Sequence, residues 1–164
     1  MALTEAQTGA VWTKRYEAEI RSLYFGDLAT QYTVRKQRIV ALSFFLSSGA
    51  AATWIARFPS ASWIAAGMSL IVAGLTAYSI AKNLDKAALK MAKLHAAWNQ
   101  ISDDYDRLWN HWFEDGAEAV LEDIQKRVRD VSEEGTTEAP YKPKLMEKWQ
   151  EHVNAVYFPT ETTA

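Results

Sequence analysis

His111 and Glu114 stand three residues apart, a spacing that places both on one face of a helix and within reach of a shared metal ion. The pair stops short of a site. A protein-bound zinc ion needs at least three protein ligands, and the chain has only three histidines, His95, His111 and His152, and no cysteine. A solvated ion pair is the better reading of His111 and Glu114. Asp103, Asp104 and Asp106 could gather a cation, yet closely spaced acidic residues on a helix read first as an exposed acidic face. His95 falls beside an apolar seam and reads as a residue at the edge of the core. The absence of cysteine excludes disulfides, iron–sulfur clusters and thiolate zinc sites. No glycine-rich phosphate loop, zincin helix motif or GxSxG elbow occurs. Arginines and lysines of residues 5–38 and 82–115 could hold an anionic ligand, but no spacing singles out a pocket. The expectation is a protein that is not an enzyme, with no catalytic residue, no metal site and no cofactor.

Aromatic residues are the other chemistry on offer. Trp98, Tyr105, Trp109, Trp112 and Phe113 fall within sixteen positions. Two readings stand: packing against Trp12, Tyr16 and a C-terminal helix, or a contact surface for a nucleotide or partner protein, since aromatic faces stack well.

The elements that carry these residues follow from how apolar residues are distributed. The chain has 164 residues, one domain's worth, with 18 basic and 20 acidic side chains and a net charge of −2. That balance excludes the strongly basic footprint of a nucleic-acid binder, and no nucleic-acid partner is expected. Mean hydropathy is slightly negative, but the average conceals two long uncharged runs. Residues 39–56, IVALSFFLSSGAAATWIA, contain no charge over 18 positions; residues 61–81, ASWIAAGMSLIVAGLTAYSIA, contain none over 21. As helices they would span about 27 and about 31 Å, close to the roughly 30 Å hydrocarbon core of a bilayer. Arg57-Phe58-Pro59-Ser60 lies between them, where proline ends one helix and allows the next to begin. So short a link makes the two neighbours antiparallel.

Arg35, Lys36 and Arg38 precede the first run and Lys82 and Lys86 follow the second, against Arg57 alone in the turn. The positive-inside rule then places both termini in the cytoplasm. Trp54, Phe58 and Trp63 bracket the turn, as suits an outer interface, and Tyr78 sits near the inner one. The competing reading is a soluble protein with a very apolar buried hairpin. Almost forty mostly polar residues before the first run argue against a signal peptide. No Asp, Glu, Lys, Arg or His lies inside either run, which disfavours an ion-coupled transporter. Ala65, Ser69, Ala73, Ala77 and Ala81 recur every four residues, as do Ser43, Ser47 and Ala51, and Gly67 and Gly74 add a second small-residue row. Small side chains allow helices to approach closely in lipid. These stripes either hold the two helices of one chain together or mate with neighbouring chains. Any pore would need an oligomer, lined by Ser43, Ser47, Ser48, Ser69 and small apolar neighbours.

Beyond Lys82 a heptad pattern continues. With Leu84 at position a, the a positions are Leu84, Met91, Trp98, Tyr105 and Trp112, and the d positions are Ala87, Leu94, Ile101 and Leu108. The pattern predicts a helix over 82–115 that pairs with one over 5–38, whose apolar stripe is Trp12, Tyr16, Ile20, Leu23, Leu28 and Tyr32, loosened or bent at Gly26-Asp27. Both stretches hold 34 residues, giving an antiparallel stalk of about 50 Å. Gly116 is expected to cap the second of them. Shorter helices are expected over 117–131, with Val120, Leu121, Ile124, Val128 and Val131 on one face, and over 143–157, with Leu145, Trp149, Val153 and Val156 on one side. Residues 133–143 read as a loop, and the last six as disordered.

VRKQRI before the first run, the Gly/Ala/Ser-rich hairpin, and AKNLDKAALKMAKLHAAWNQISDDYDRLW after it resemble the SLATT family, over roughly residues 16–131. Its most characteristic piece here is KLHAAW, from Lys93 to Trp98, running into DYDRLW, from Asp104 to Trp109. These are bacterial two-transmembrane effectors associated with nucleotide second-messenger synthases and related sensors in conflict systems. The resemblance implies membrane perturbation or pore formation once an invader is sensed, and supplies no catalytic residues. With no sensor or enzyme domain fused to this chain, the trigger is expected from a partner or ligand. The combined expectation is a single all-α domain over 1–164: a two-transmembrane helical hairpin in the cell inner membrane, extended into a cytoplasmic antiparallel stalk with short C-terminal helices. Its partners would be the lipid bilayer, further copies of itself, and a nucleotide second messenger or sensor protein. The alternative is a membrane-anchored adaptor that recruits a cytoplasmic partner through the stalk.

Overall fold

The computed structural model describes residues 1–47 and 61–158. Every regular element among them is an α-helix: α1 (Glu5–Ser47), α2 (Ala61–Ala81), α3 (Leu84–Asn110), α4 (Ala117–Glu138) and α5 (Pro143–Tyr157). The protein is all-α. Contacts group the chain into two compact units: Met1–Leu28 with Lys90–Ala164, and Ala29–Leu89. The expected link 57–60 and the closing residues 159–164 fall outside the described residues.

In the first unit, Thr4 and Gln7 start α1 with a capping box. Thr4 N–H donates to Gln7 Oε1 at 2.8 Å and Gln7 N–H donates to Thr4 Oγ1 at 3.3 Å, satisfying donors the helix cannot. The chain ahead of the cap is pinned as well. Leu3 is buried, its N–H donates to the Trp112 carbonyl at 3.0 Å, and the Glu118 N–H donates to the Met1 carbonyl at 3.4 Å.

From there α1 and α3 run antiparallel within the unit. Trp12 meets Trp109, Arg15 meets Asp106, and Ser22 meets His95, so positions rise along one helix as they fall along the other. The two helices pass close at Gly26, where an added Cβ would lie 3.1 Å from His95 Nδ1. The helix runs unbroken through Gly26, whose missing side chain makes room for the imidazole. The α1 stripe is also displaced from the expected one. Ile20 and Leu28 are buried, but Trp12, Tyr16, Leu23 and Tyr32 are only half-buried, and Val11, Ala18, Ser22, Tyr24 and Phe25 complete the buried face.

Three boundaries differ from expectation for identifiable reasons. The helix expected over 82–115 begins at Leu84, because Asn83 takes a left-handed φ of 44° and breaks the run after α2; asparagine tolerates that conformation better than most residues. It ends at Asn110, and Gly116, φ 98°, is the N-cap of α4 and does not cap α3. Finally, α4 runs on to Glu138 through what read as a loop. Gly135 is buried, with Phe25 Cζ 3.3 Å from where its Cβ would stand, and this packing outweighs the glycine's cost of about 1 kcal/mol in a helix. Thr136 and Thr137 return their hydroxyls to the Ser132 and Glu133 carbonyls, and the helix stops just ahead of Pro140.

Pro143 occupies the first turn of α5, where its missing N–H costs nothing. The α4–α5 connection is clamped by Tyr24, whose hydroxyl donates to the Pro140 carbonyl at 2.6 Å and accepts the Lys142 N–H at 3.0 Å. On α4, Leu121 and Ile124 are buried and Val120 is exposed; on α5, Val153 is buried and Val156 is exposed. The faces expected for these two helices are thus narrower than the apolar spacing implied.

Candidate functional site

The second unit holds the residues that the sequence marked for helix packing. On α2 the half-buried side chains are Met68, Val72, Leu75, Tyr78 and Ser79, spaced three and four apart along one face. The small-residue row lies elsewhere: Ser69, Ala73, Ala77 and Ala81 are all exposed, and a Cβ added at Gly67 or Gly74 would meet nothing within 4 Å. Leu70 and Ile80 flank that row and are 75% and 69% exposed. On α1, Ser43 is half-buried and Ser47 is exposed, with the Ser47 hydroxyl donating to the Ser43 carbonyl at 2.8 Å. Ala51 and the side chain of Ala65 lie outside the described residues.

Cations border these segments. Lys36 pairs with Asp85 at 2.6 Å, and the Arg35 guanidinium lies 5.1 Å from the Tyr78 ring centroid. Among the described residues, no helix is long and apolar enough to cross a membrane. The first expected span is described only to Ser47. In the second, the side chains of residues 61, 62, 64 and 65 fall outside the description, so its longest continuous described stretch runs from Ala66 to Ala81.

Of the expected seam, Leu84 is buried in the second unit, and Met91, Leu94, Trp98, Ile101, Tyr105 and Leu108 are buried in the first. Trp112 is a correction. It lies beyond the end of α3 and is 40% exposed, stacked edge-on with an exposed Phe113. Bulk at a heptad position does not bury a side chain once the helix has stopped.

Trp109 instead joins a cluster built around α1. Trp12 lies 5.4 Å from Trp109 and 5.5 Å from Tyr157, and Tyr16 packs edge-on against Tyr157 and Phe158. Arg15 sits 5.5 Å from the centroids of both Trp12 and Tyr157 and pairs with Asp106 at 3.0 Å. Tyr157 donates its hydroxyl hydrogen bond to Glu19, and Tyr16 donates to Asn154. Burial, with the Glu19 bond second, pushes the Tyr157 hydroxyl up to about 12. Tyr105 is raised too, by burial first and then by the nearby Glu17 charge.

The acidic row has structural work. Asp104 accepts from Arg127 of α4 at 2.7 Å, and that hydrogen bond is the main cause holding the guanidinium above its ordinary range. Asp106 holds Arg15, as above. His111 and Glu114 form an exposed pair at 2.9 Å. His95 Nδ1 lies 2.8 Å from the Ser22 carbonyl, which can only accept, so Nδ1 carries the proton there. Among the described residues, no three histidine, aspartate or glutamate side chains gather as a metal-binding group. Sequence reasoning missed the Asp104–Arg127 link and the Ser22–Gly26–His95 contact. Gly26 and Ser22, four apart on one helix, were the available signal for a close crossing.

The sequence matches no protein-family model, and no curated protein or solved structure is significantly similar to it.

Proposed function

We propose that this chain is an integral membrane effector. Residues 39–56 and 61–81 form a two-span hairpin in the cell inner membrane with both termini cytoplasmic. The hairpins self-associate through the small-residue face of α2, and the assembly forms a pore or otherwise perturbs the membrane in defence against an invader.

The observation that carries this reading is the outward face of α2. A 21-residue helix without a charged residue leaves Ser69, Ala73, Ala77 and Ala81 exposed, while bulkier residues make its partly covered face. An exposed apolar helix needs a lipid or protein environment, and a small-residue row is what lets a second such helix approach closely. Charge supports the orientation: residues 29–89 carry six cations against the single carboxylate Asp85, while the rest of the chain holds 12 cations and 19 carboxylates. The likeness to SLATT proteins supplies the conflict setting and a trigger, a nucleotide signal or a sensor protein.

The test is dye release from liposomes carrying the purified chain, with and without cyclic nucleotides. Release, dependent on a nucleotide or constitutive, is expected. Tight liposomes containing correctly inserted protein, under every nucleotide tried, would sink the effector reading.

A second reading, a membrane-anchored adaptor, is favoured by the exposed Trp112–Phe113 pair on the acidic unit. In that case the first unit recruits a cytoplasmic partner and the hairpin only tethers it.

A further inference from the structure

The first unit holds an open-mouthed cavity of about 450 Å3, walled by α1, α3, α4, the α4–α5 connection and α5. Its volume falls in the range of small-molecule sites. Four rings, Tyr24, Phe25, Trp98 and Tyr141, and the thioether of Met146 make its lining largely aromatic and apolar.

Two polar features stand out against that lining. Arg21 lies with its guanidinium 4.6 Å from the Trp98 ring centroid, and its only hydrogen bond among the described residues is a long one, 3.4 Å, to Ser132 Oγ. Other half-buried arginines of this unit hold carboxylates, Arg15 with Asp106 and Arg127 with Asp104. Arg21 holds none among the described residues; Glu133, also on the lining, is farther than 4.0 Å from it. Trp98, 2% exposed, is the second feature: its indole N–H is buried and meets no acceptor among the described residues. The guanidinium, with no carboxylate among the described residues, is thus a cationic donor stacked on a ring of an otherwise largely aromatic lining.

We propose that this cavity binds a small aromatic carboxylate. The carboxylate takes the forked guanidinium of Arg21, and the ring packs among Phe25, Trp98 and Tyr141. The single unpaired cation matches a singly charged group, and planar bidentate pairing is what a guanidinium offers a carboxylate. Aromatic walls favour a planar body in offset or edge-on packing. The site does not depend on the membrane reading, since every lining residue belongs to the first unit.

The test uses the full chain in lipid nanodiscs and 4-(trifluoromethyl)benzoate as the probe, followed by fluorine NMR against empty nanodiscs. The neutral 4-(trifluoromethyl)benzamide is the charge control. Saturable binding of the benzoate is expected, at least about tenfold tighter than the benzamide, as loss of one charge-assisted pair implies. Arg21→Gln should lose about the same factor. Ala139→Phe, which fills the cavity and leaves Arg21 in place, should abolish binding with the helical circular dichroism unchanged. No saturable binding to the wild type overturns the proposal. So does equal affinity for benzoate and benzamide, or full binding by a folded Ala139→Phe protein.

Discussion

Gly26 and His95 meet where α1 and α3 pack together, and a side chain at position 26 would crowd the imidazole. With a Cβ already 3.1 Å from the imidazole, Gly26→Leu must push α3 away or force His95 out of its bond to Ser22. The expected loss is about 1–3 kcal/mol, the usual cost of overpacking, read as a lower midpoint in chemical denaturation. Tyr157 gives a pH signature. Its hydroxyl ionises near 10 in an unfolded chain and at about 12 in the folded one. Between those values the unfolded state has released a proton that the folded state still holds, so stability falls as pH rises from about 10 to 12. Tyr157→Phe should flatten that decline relative to wild type in thermal melts. An identical slope in both proteins would mean that Tyr157 titrates like a free phenol. Neither residue declares its role in sequence. A glycine in a helical pattern reads as a weak point until the histidine opposite is known, and a tyrosine near a terminus reads as surface until Trp12, Tyr16 and Glu19 surround it.

At the scale of elements, periodicity located the helices and packing set their ends. Heptad spacing found the α3 seam from Leu84 to Leu108 but continued on paper through Trp112, past the point where the backbone leaves the helix. Gly135 and two threonines looked like a loop because their intrinsic preference is non-helical, yet the contact with Phe25 keeps α4 helical to Glu138. The exposed row on α2 bears the assembly prediction. Ala73→Leu and Ala77→Leu should weaken self-association by removing the close approach, and should abolish liposome leakage while leaving insertion intact. Crosslinking in membranes reads the first effect and dye release the second. Mutants that leak and crosslink like wild type would move the assembly face to another side of the hairpin.

Across the whole molecule, charge and hydropathy are segregated. Six of the 18 cations and only one of the 20 carboxylates fall in residues 29–89, and the rest of the chain is acidic. Such a division suits a basic membrane flank joined to an acidic body that stays in water. The effector and adaptor readings part at this scale. Replacing residues 39–81 with an unrelated two-span anchor should abolish activity if the hairpin perturbs the membrane. Retained activity in cells would favour the adaptor, whose working surface is the first unit.

The sequence by itself determined the helical class, the positions of the two uncharged runs, the α3 seam and the absence of familiar catalytic motifs. All of these rest on local periodicity or composition, which one chain segment expresses alone. Tertiary structure decided the remainder. Which face of α2 stays uncovered, why Gly26 and Gly135 sit inside helices, how Asp104 and Asp106 find arginines, and where Arg21 and Trp98 meet over a cavity all depend on residues distant in sequence. Side chains from α1, α3 and α4 converge only after the helices pack, and no periodicity along one strand of text records what stands opposite.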